Sequence, residues 1–359
     1  MYYLEVSSAC VENPSGIYRY IRQLSREMIR AQGLSNFGFA VRRKKLAHRG
    51  QLPYWMQPGL KTYEGLFYPP KGAKLLHGMD MKLPLAPKMA SVVTAMDLAP
   101  FRLVDQQVAS QRFLKKKRKD YQKAFKRADL ILSISQQTAD DVCDLFGVDP
   151  GKIRVTHLGV QPEFAPSLAP EVLSRYGLAG LDKRYFFYVG SLSVRKNLVR
   201  LLQAYHRCAV KSDIHLVLSG ELSYGGQAIL DEVNRLGLGD KVHLIGYASA
   251  ADLPSLYSHA AGFVFPTLYE GFGLPILEAM ACGVPVLTGN QGASPEVAGG
   301  HALLTNPLDI EEMAAQLDRL SEVSGQARQG AKTYAQGFTW AKTAAKTLDG
   351  YEEAINRRA

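Results

Sequence analysis

The sequence predicts an α/β protein with two doubly wound domains. Its 359 residues are enough for two domains that each bury a hydrophobic core. Along the second half, short apolar segments alternate with helical patterns, which is typical of parallel strands joined by helices. These segments cover residues 185–189, 214–219, 242–245, 262–265, 284–287 and 302–304.

The first half shows the same alternation at wider spacing. Its apolar segments cover residues 2–6, 37–41, 73–77, 91–96, 130–134 and 153–158. Residues 165–184, which contain Pro166 and Pro170, are interpreted as the linker between the domains. Because sheets of this kind bind ligands beyond the carboxyl ends of their strands, we expect the functional residues in the loops that follow strands.

Composition excludes several classes of protein. The N-terminus has no basic segment ahead of an apolar core, so no signal peptide is predicted. No run of about 18 apolar residues predicts a membrane-spanning helix. The cysteines are scattered without disulfide or metal-site spacing, at Cys10, Cys143, Cys208 and Cys282. We therefore expect a reducing compartment and no bound metal.

The net charge of +10 is concentrated in the first half. Residues 1–165 contain 26 Lys and Arg against 14 Asp and Glu, whereas residues 166–359 contain 17 against 19. The halves therefore carry +12 and −2. A basic half attracts nucleic acid, an anionic membrane surface or an acidic substrate. The basic residues are not interleaved with aromatic ones as in single-strand binding platforms, so we expect no nucleic acid.

The most informative stretch is AGFVFPTLYEGFGLPILEAMACGVPVL, residues 261–287. It predicts a buried strand, a loop with Gly271 and Gly273, and a helix that begins near Pro275 and stops at Cys282-Gly283. Glycines allow close approach to a ligand, and the N–H groups of a helix start favour an anion. Glu270 and Glu278 bracket this loop, and carboxylates accept hydrogen bonds from sugar hydroxyls.

A second informative segment is VGSLSVRKN, residues 189–197. Arg195 and Lys196 follow a predicted strand and precede a predicted helix. One guanidinium and one ammonium placed there can neutralise the two phosphates of a nucleoside diphosphate. An ordinary solvated pair is the alternative interpretation.

EGFGLPILE resembles the E-x7-E signature of retaining glycosyltransferases of the GT-B fold, glycosyltransferase family 4, which includes bacterial mannosyltransferases. The resemblance implies two Rossmann-like domains that face each other across a cleft, with a C-terminal helix returning to the first. It places the acceptor-side domain at residues 1–166, completed by 341–359, and the donor-binding domain at 167–340. FTWAKTAAKTLDGYEEAI, from Phe338, matches the closing helix, with Trp340 as its anchor.

The resemblance also implies site roles. Glu270 lies by the donor sugar and Glu278 by the ribose, while Arg195 and Lys196 bind the diphosphate. The remaining implied donor-binding residues are Gly16, Gly190, Ser191, Gly246, Tyr247, Gly271, Phe272, Gly273 and Leu274. No metal or other cofactor is required, because the basic pair replaces a divalent ion. A plain turn explains Gly246-Tyr247 equally well, and a helix-capping turn by Asn13 or Ser15 explains Gly16.

The chain departs from the family pattern at Met96. The corresponding strand of the family often ends in His-Asp, with the histidine under the reacting sugar, and here Met96 precedes Asp97. A thioether cannot carry a proton as imidazole does. Asp97 is therefore the preferred catalytic or acceptor contact. His77 either reaches the same cleft or is a strand-end histidine satisfied by backbone.

The segment QRFLKKKRKDYQKAFKR predicts an amphipathic helix at residues 111–127. Its basic face, between Arg112 and Arg127, either lies on an anionic bilayer or is solvated. The resemblance implies a retaining transferase with Glu270, Asp97, Arg195 and Lys196 as catalytic residues. We expect it in the cytoplasm, and the bilayer alternative would place it on the inner face of the plasma membrane.

The predicted reaction moves mannose from GDP-mannose to a glycan or lipid-linked oligosaccharide in cell-surface polysaccharide synthesis, such as lipopolysaccharide O-antigen. The GIYRYI and TLYEGFGLPILEAMACG segments look most like GDP-mannose users. UDP-sugar and GDP-rhamnose transferases remain alternatives, as does a catalytically degenerate sugar-nucleotide-binding protein, which Met96 favours.

Overall fold

The computed structural model describes residues 1–11, 16–104 and 109–358. The chain divides into two compact units. The first consists of Met1–Phe101, Ala109–Gly159 and Thr339–Ala359, and the second mainly of Val160–Phe338. Each unit has its own parallel sheet, so the predicted class of two doubly wound α/β domains is confirmed.

The sheet of the first unit has the strand order β3-β2-β1-β4-β5-β6-β7, and every pair is parallel. Its strands are β1 (Tyr2–Glu5), β2 (Phe37–Arg42), β3 (Lys61–Tyr63), β4 (Leu75–Gly78), β5 (Ala90–Ala95), β6 (Leu130–Ser133) and β7 (Ile153–Val155). The sequence did not predict β3, because two of its three residues are exposed and the strand has no apolar run.

The sheet of the second unit has the order β10-β9-β8-β11-β12-β13 and is also parallel. Its strands are β8 (Tyr185–Val189), β9 (His215–Ser219), β10 (Val242–Gly246), β11 (Gly262–Phe265), β12 (Val286–Gly289) and β13 (Leu303–Thr305). The strand predicted at 284–287 lies two residues later, because Gly283 and Pro285 belong to the turn before it.

Helices connect the strands of both units. They are α1 (Gly16–Gln32), α2 (Ala99–Arg102), α3 (Gln111–Arg127), α4 (Gln136–Phe146), α5 (Pro170–Arg175), α6 (Leu198–Arg207), α7 (Gln227–Arg235), α8 (Leu253–Ser258), α9 (Leu274–Ala281), α10 (Ser294–Ala298), α11 (Ile310–Leu320), α12 (Gly325–Gln336) and α13 (Trp340–Asn356). The bounds predicted for α3 match the structure.

The stretch interpreted as the linker lies within the second unit. Part of it forms α5, and this helix packs on α8 within the second unit. Asp252, just before α8, accepts hydrogen bonds from Arg175 at 2.5 Å and from the Tyr176 hydroxyl at 2.9 Å. Pro170 therefore marks the start of an ordered element, since it occupies the first turn of α5.

The closing helix α13 belongs to the first unit, as predicted. It packs on α1, β5 and β6. Trp340, at its first turn, is buried, and its ring lies 6.3 Å from the Tyr20 ring. A Cβ on Gly159 would lie 2.2 Å from the Trp340 nitrogen, so only glycine allows this close approach.

His77 is a core residue of the first unit, which contradicts the suggestion that it reaches a ligand cleft. It is fully buried at the centre of the sheet, on β4. Its Nδ1 lies 2.6 Å from the Tyr351 hydroxyl and its Nε2 2.7 Å from Thr94 Oγ1. Neutral imidazole has one donor and one acceptor, so both nitrogens are satisfied. Its partners are side chains of β5 and α13 rather than backbone groups.

We expect His77 to make folding stability depend on pH. Burial lowers the pKa of His77 from 6.5 to about 3. Between these values the unfolded chain binds a proton that the folded chain excludes, so this contribution is complete above pH 6.5 and is lost as pH falls towards 3, by up to about 1.4 kcal/mol per pH unit. Urea unfolding of wild type and His77→Gln should show a stability difference that shrinks with falling pH. Parallel pH curves for the two proteins would contradict this.

Candidate functional site

The main polar cluster of the second unit is centred on Glu270, in the loop between β11 and α9. Glu270 is buried, with 7% of its surface exposed. Its Oε1 accepts hydrogen bonds from Arg195 Nη1 and Lys196 Nζ, each at 2.8 Å. Glu270 therefore contacts both cations directly. The sequence motifs that predicted these site residues lie about 75 residues apart.

Sheet topology explains this contact. β8 and β11 are neighbours, with Phe186 opposite Gly262 and Phe187 opposite Phe263. Because both strands are parallel, the loops that follow them lie at the same edge of the sheet. A backbone hydrogen bond from Leu268 N to the Arg195 carbonyl, 3.0 Å long, joins the two loops directly.

Asn197 fixes the loop that carries the two cations. It has left-handed backbone geometry, with φ +62°, between a 3₁₀ turn (Val194–Lys196) and α6. Its buried Nδ2 donates to the carbonyls of Pro266, at 3.1 Å, and Pro307, at 2.6 Å. Sequence reasoning did not assign Asn197 a role. The one available signal was an asparagine, which tolerates this conformation, immediately before a helix.

The two cations occupy different surroundings. Lys196 is 7% exposed, and its Nζ lies 4.8 Å from the centre of the Phe265 ring, within cation–π range. The Arg195 side chain is 24% exposed, and its Nη1 also donates to the Tyr269 carbonyl at 2.9 Å. Arg195 is therefore the more accessible positive charge.

These charges determine the state of Glu270. Burial acts to raise the pKa of Glu270, but the positive charges of Arg195 and Lys196 and their hydrogen bonds outweigh it, so the pKa lies below its ordinary value. Glu270 is consequently an ionised carboxylate at neutral pH. A buried carboxylate with two cations forms a preorganised site that can exchange partners with an anionic ligand.

The glycine loop leads into the amino end of α9. Gly273 has φ +98°, and a Cβ there would lie 3.0 Å from Ile276 Cδ1, so this position favours glycine. The N-cap residue, Gly273, has no side chain that could cap the helix, and Pro275 lies in the first turn. The Phe272 ring packs edge-on against Phe338 at 6.5 Å. A helix amino end beside two cations suits an anion.

Glu278 has different surroundings from Glu270. It lies inside α9, is 3% exposed, and its Oε2 accepts a hydrogen bond from the Tyr257 hydroxyl of α8 at 3.2 Å. Its negative charge contributes, after burial, to raising the pKa of the Cys282 thiol to about 12. The ribose contact implied for Glu278 stays a prediction.

Backbone hydrogen bonds join the carboxyl ends of β8, β9 and β10 at glycine residues. Gly190 N donates to the Ser219 carbonyl at 3.0 Å, and Gly220 N to the Gly246 carbonyl at 2.8 Å. A Cβ on Gly220, where φ is +147°, would lie 1.9 Å from the Gly190 oxygen. The next residues, Ser191 and Tyr247, are exposed, Tyr247 by 60%. This edge is open to a ligand, and the base contact of Tyr247 stays a prediction.

The residues predicted in the first unit lie at the ends of its strands. Gly16 is exposed and begins α1, whereas the possible caps Asn13 and Ser15 lie outside the described residues. Asp97 follows β5, and its Oδ1 accepts a hydrogen bond from Ala99 N at 2.8 Å at the start of α2. Met96 is buried, with 6% exposed. Within the described ranges, no three His, Cys, Asp or Glu side chains form a group that could hold a metal.

Models of known protein families match segments of both units. The family model for glycosyl transferases group 1 matches residues 175–337, and the glycosyltransferase family 4 model matches residues 87–164. The first match lies within the second unit. The second lies mostly within the first unit.

Curated relatives resemble the chain over less than their full length. O-antigen chain mannosyltransferase B of Escherichia coli is 35% identical over 233 residues, which is 63% of this chain and 61% of that protein. The MMP alpha-(1->4)-mannosyltransferase of Mycolicibacterium hassiacum is 33% identical over 239 residues, 64% of this chain and 55% of that protein. The matched part thus spans about three fifths of these relatives.

Solved structures share the fold at low identity. Sucrose-phosphate synthase from Thermosynechococcus elongatus superposes with a TM-score of 0.76 at 20% identity and covers 98% of both chains. Anabaena Alr3699/HepE in complex with UDP and glucose superposes with a TM-score of 0.71 at 17% identity, covering 97% of this chain and 98% of that one. The chain therefore contains one segment that matches the group 1 glycosyl transferases and one that matches glycosyltransferase family 4, and it has the GT-B fold of these solved structures.

Proposed function

We propose that the chain is a retaining hexosyltransferase that moves mannose from GDP-mannose to a hydroxyl of a glycan or lipid-linked oligosaccharide. The observation that carries this proposal is the cluster of Arg195, Lys196 and Glu270 beside the amino end of α9. The matches to two glycosyltransferase family models support transfer of a sugar, and the cluster supplies the groups that such a transfer needs.

The two cations stabilise the departing diphosphate. Breaking the bond between the sugar and the diphosphate leaves negative charge on the phosphate oxygens, and preorganised cations lower the energy of that state. In the free protein Glu270 holds Arg195 and Lys196 in place through 2.8 Å contacts. With donor bound, the phosphates share these cations, and Glu270 becomes an acceptor for sugar hydroxyls. We propose that this pair makes a divalent ion unnecessary.

We propose mannose as the transferred sugar because of the names of two relatives. O-antigen chain mannosyltransferase B of Escherichia coli and the Mycolicibacterium hassiacum enzyme are both named as mannosyltransferases. The named product of the first supports a role in O-antigen synthesis. UDP-sugar and GDP-rhamnose donors are the alternatives.

We expect GDP to bind more tightly than UDP, because GDP-mannose is the proposed donor. Titration calorimetry of both nucleotides in EDTA, followed by donor-hydrolysis assays with GDP-mannose, GDP-rhamnose and UDP-glucose, measures the preference. Tighter UDP binding would contradict the choice of donor but not the proposed transfer of a sugar. Nucleotide binding with no hydrolysis or transfer of any donor would favour a non-catalytic sugar-nucleotide-binding protein, which Met96 in place of histidine suggests.

We also propose peripheral contact of α3 with the inner face of the plasma membrane. Leu114, Ala124 and Phe125 are buried, so the basic residues of α3 face outward, and Phe113 is 45% exposed among them. Basic residues near an anionic surface contribute about 1 kcal/mol each, and an exposed ring adds apolar contact. Within residues 1–11, 16–104 and 109–358, no helix has the length and apolar character needed to cross a bilayer.

Charge reversal tests the membrane contact. Lys115 and Lys119 are exposed and one turn apart on α3, and Lys342 and Lys346 form a matched exposed pair on α13. Changing the α3 pair to Glu should weaken co-sedimentation with phosphatidylglycerol vesicles by about tenfold or more. The same change in the α13 pair should have little effect. Equal effects of the two pairs, or binding to phosphatidylcholine vesicles as strong as to phosphatidylglycerol, would contradict the contact.

A further inference from the structure

A second polar cluster lies in the first unit, after β1 and β4, and contains Ser8, Asp80 and Lys82. Ser8 Oγ donates to Asp80 Oδ2 at 2.5 Å, and Lys82 Nζ donates to the same oxygen at 2.6 Å. Lys82 Nζ also lies 3.3 Å from Ser8 Oγ. Asp80 is 7% exposed, whereas the Lys82 side chain is 29% exposed. The cluster therefore combines a buried carboxylate with a partly accessible cation.

The fold places this cluster where open α/β sheets bind ligands. β1 and β4 are adjacent in the sheet, and the strand order reverses between them, with β2 and β3 on one side and β5 to β7 on the other. Ligands of such sheets bind beyond the carboxyl ends of the strands at this reversal. Ser8 follows one of the two strands and Asp80 the other.

The turn after β4 is constrained to present Asp80 and Lys82. Met81, between them, has φ +46°, a conformation that side chains rarely adopt. Its nitrogen donates to the Thr94 carbonyl of β5 at 2.9 Å. A Cβ on Gly78 would lie 2.0 Å from the Lys82 carbonyl oxygen, so the turn folds back onto the end of its own strand. Strain of this kind persists at functional sites, where the surrounding structure enforces it.

The hydrogen bonds of Asp80 leave capacity for a ligand. Among the described residues, its bonds all reach Oδ2, and Oδ1 accepts none. A carboxylate with one oxygen neutralised by lysine and one available is suited to accept hydrogen bonds from a pair of sugar hydroxyls. Lys82, with a third N–H, can donate to a neighbouring sugar oxygen.

Asp97, which follows β5, lies in the same electrostatic surroundings as Asp80. Burial raises the pKa of the Tyr121 hydroxyl, and the negative charges of Asp80 and Asp97 add to that effect. Tyr121 of α3 is therefore within electrostatic reach of both carboxylates. Asp97, which the sequence predicted as an acceptor contact, and Asp80, which it did not, border the same region of the first unit.

We propose that Asp80, oriented by Lys82 and Ser8, binds a hydroxyl pair of the acceptor sugar. This inference rests on the proposed transferase function and names a residue that binds the acceptor. Asp80 determines acceptor affinity and orientation, while Arg195, Lys196 and Glu270 act on the donor. Loss of the Asp80 charge therefore weakens transfer to a sugar and leaves the reaction of donor with water intact.

The test compares two reactions of Asp80→Asn. Hydrolysis of GDP-mannose without acceptor reports the donor site. Transfer to methyl and octyl α-glycosides of mannose, glucose and N-acetylglucosamine reports the acceptor site. We expect the acceptor KM to rise about tenfold or more, as for loss of a hydrogen bond to a charged group, with donor hydrolysis and GDP affinity unchanged. Ser8→Ala, which keeps the ion pair, should give a smaller rise.

Asp129→Asn is the matched control. Asp129 also accepts hydrogen bonds from a serine, Ser91, but it immediately precedes β6. It therefore lies at the amino end of its strand, whereas Asp80 lies beyond the carboxyl end of β4. Hydrolysis and transfer falling in the same proportion in Asp80→Asn would show a structural role and overturn the proposal, as would unchanged transfer. Wild type that hydrolyses donor but accepts none of the glycosides also counts against it. Wild type that neither binds GDP nor hydrolyses donor would instead reject the proposed function itself.

Discussion

Replacing Glu270 with Gln is expected to lower turnover by about 10²-fold or more, because the site loses the charge that positions its two cations. The amide keeps the shape of the side chain but removes the negative charge that Arg195 and Lys196 contact at 2.8 Å in a largely buried site. Removing one partner of a buried ion pair costs about 3–5 kcal/mol of stability. Nucleotide-release assays and urea unfolding measure the two effects.

Glu232→Gln separates the two effects. Glu232 is also 7% exposed and paired, with Gln203 at 2.6 Å and Arg235 at 2.6 Å, but it lies on α7. We expect this control to lose stability and keep its turnover. Equal losses of turnover in the two variants would mean that Glu270 acts through stability alone.

The Glu270 contribution to stability should also depend on pH. Its pKa is lowered in the folded chain, so the unfolded chain binds the proton more readily. The contribution is therefore fully present above the ordinary value of 4.5 and is lost as pH falls through the lowered folded value. The stability difference between wild type and Glu270→Gln should accordingly shrink only below pH 4.5.

Replacing Arg195 with Ala is expected to lower turnover by about 10²–10³-fold, the cost of removing one preorganised donor to a developing charge. Stability should change much less, by about 1–2 kcal/mol, because Glu270 keeps Lys196 at 2.8 Å. Initial rates with saturating donor and thermal unfolding of the same preparation measure both.

The matched control for Arg195 lies at the other end of the following helix. Arg207 ends α6, is about half exposed and pairs with Glu311 at 3.0 Å. We expect Arg207→Ala to keep wild-type rates. If Arg195→Ala also kept them, the assignment of Arg195 to the leaving diphosphate would be wrong.

Local patterns predicted most of the fold. Alternating apolar segments and helix starts identified the strands of the second unit and the bounds of α3, because burial on both sheet faces and amphipathic spacing are properties of neighbouring residues. β3 was missed because a short edge strand has neither signal. The linker interpretation did not foresee α5, because a proline such as Pro170 marks a helix start as readily as a loop.

Contacts between distant segments were not predictable. Motif spacing identified Glu270, Arg195 and Lys196, but the contact among them depends on β8 lying beside β11, which no local pattern encodes. The roles of His77 and Asp80 depend in the same way on partners far along the chain. His77 bonds to Tyr351, and Asp80 bonds to Ser8. A residue type suggests chemistry, and only the tertiary neighbours decide whether that chemistry is structural or available.

A crystal structure of the chain with GDP, grown in the presence of EDTA, tests the central claim most directly. The account predicts diphosphate oxygens within hydrogen-bond distance of Arg195 and Lys196, beside the amino end of α9, with no metal ion between them. A diphosphate bound elsewhere, or crystals that take up no GDP under these conditions, would contradict it.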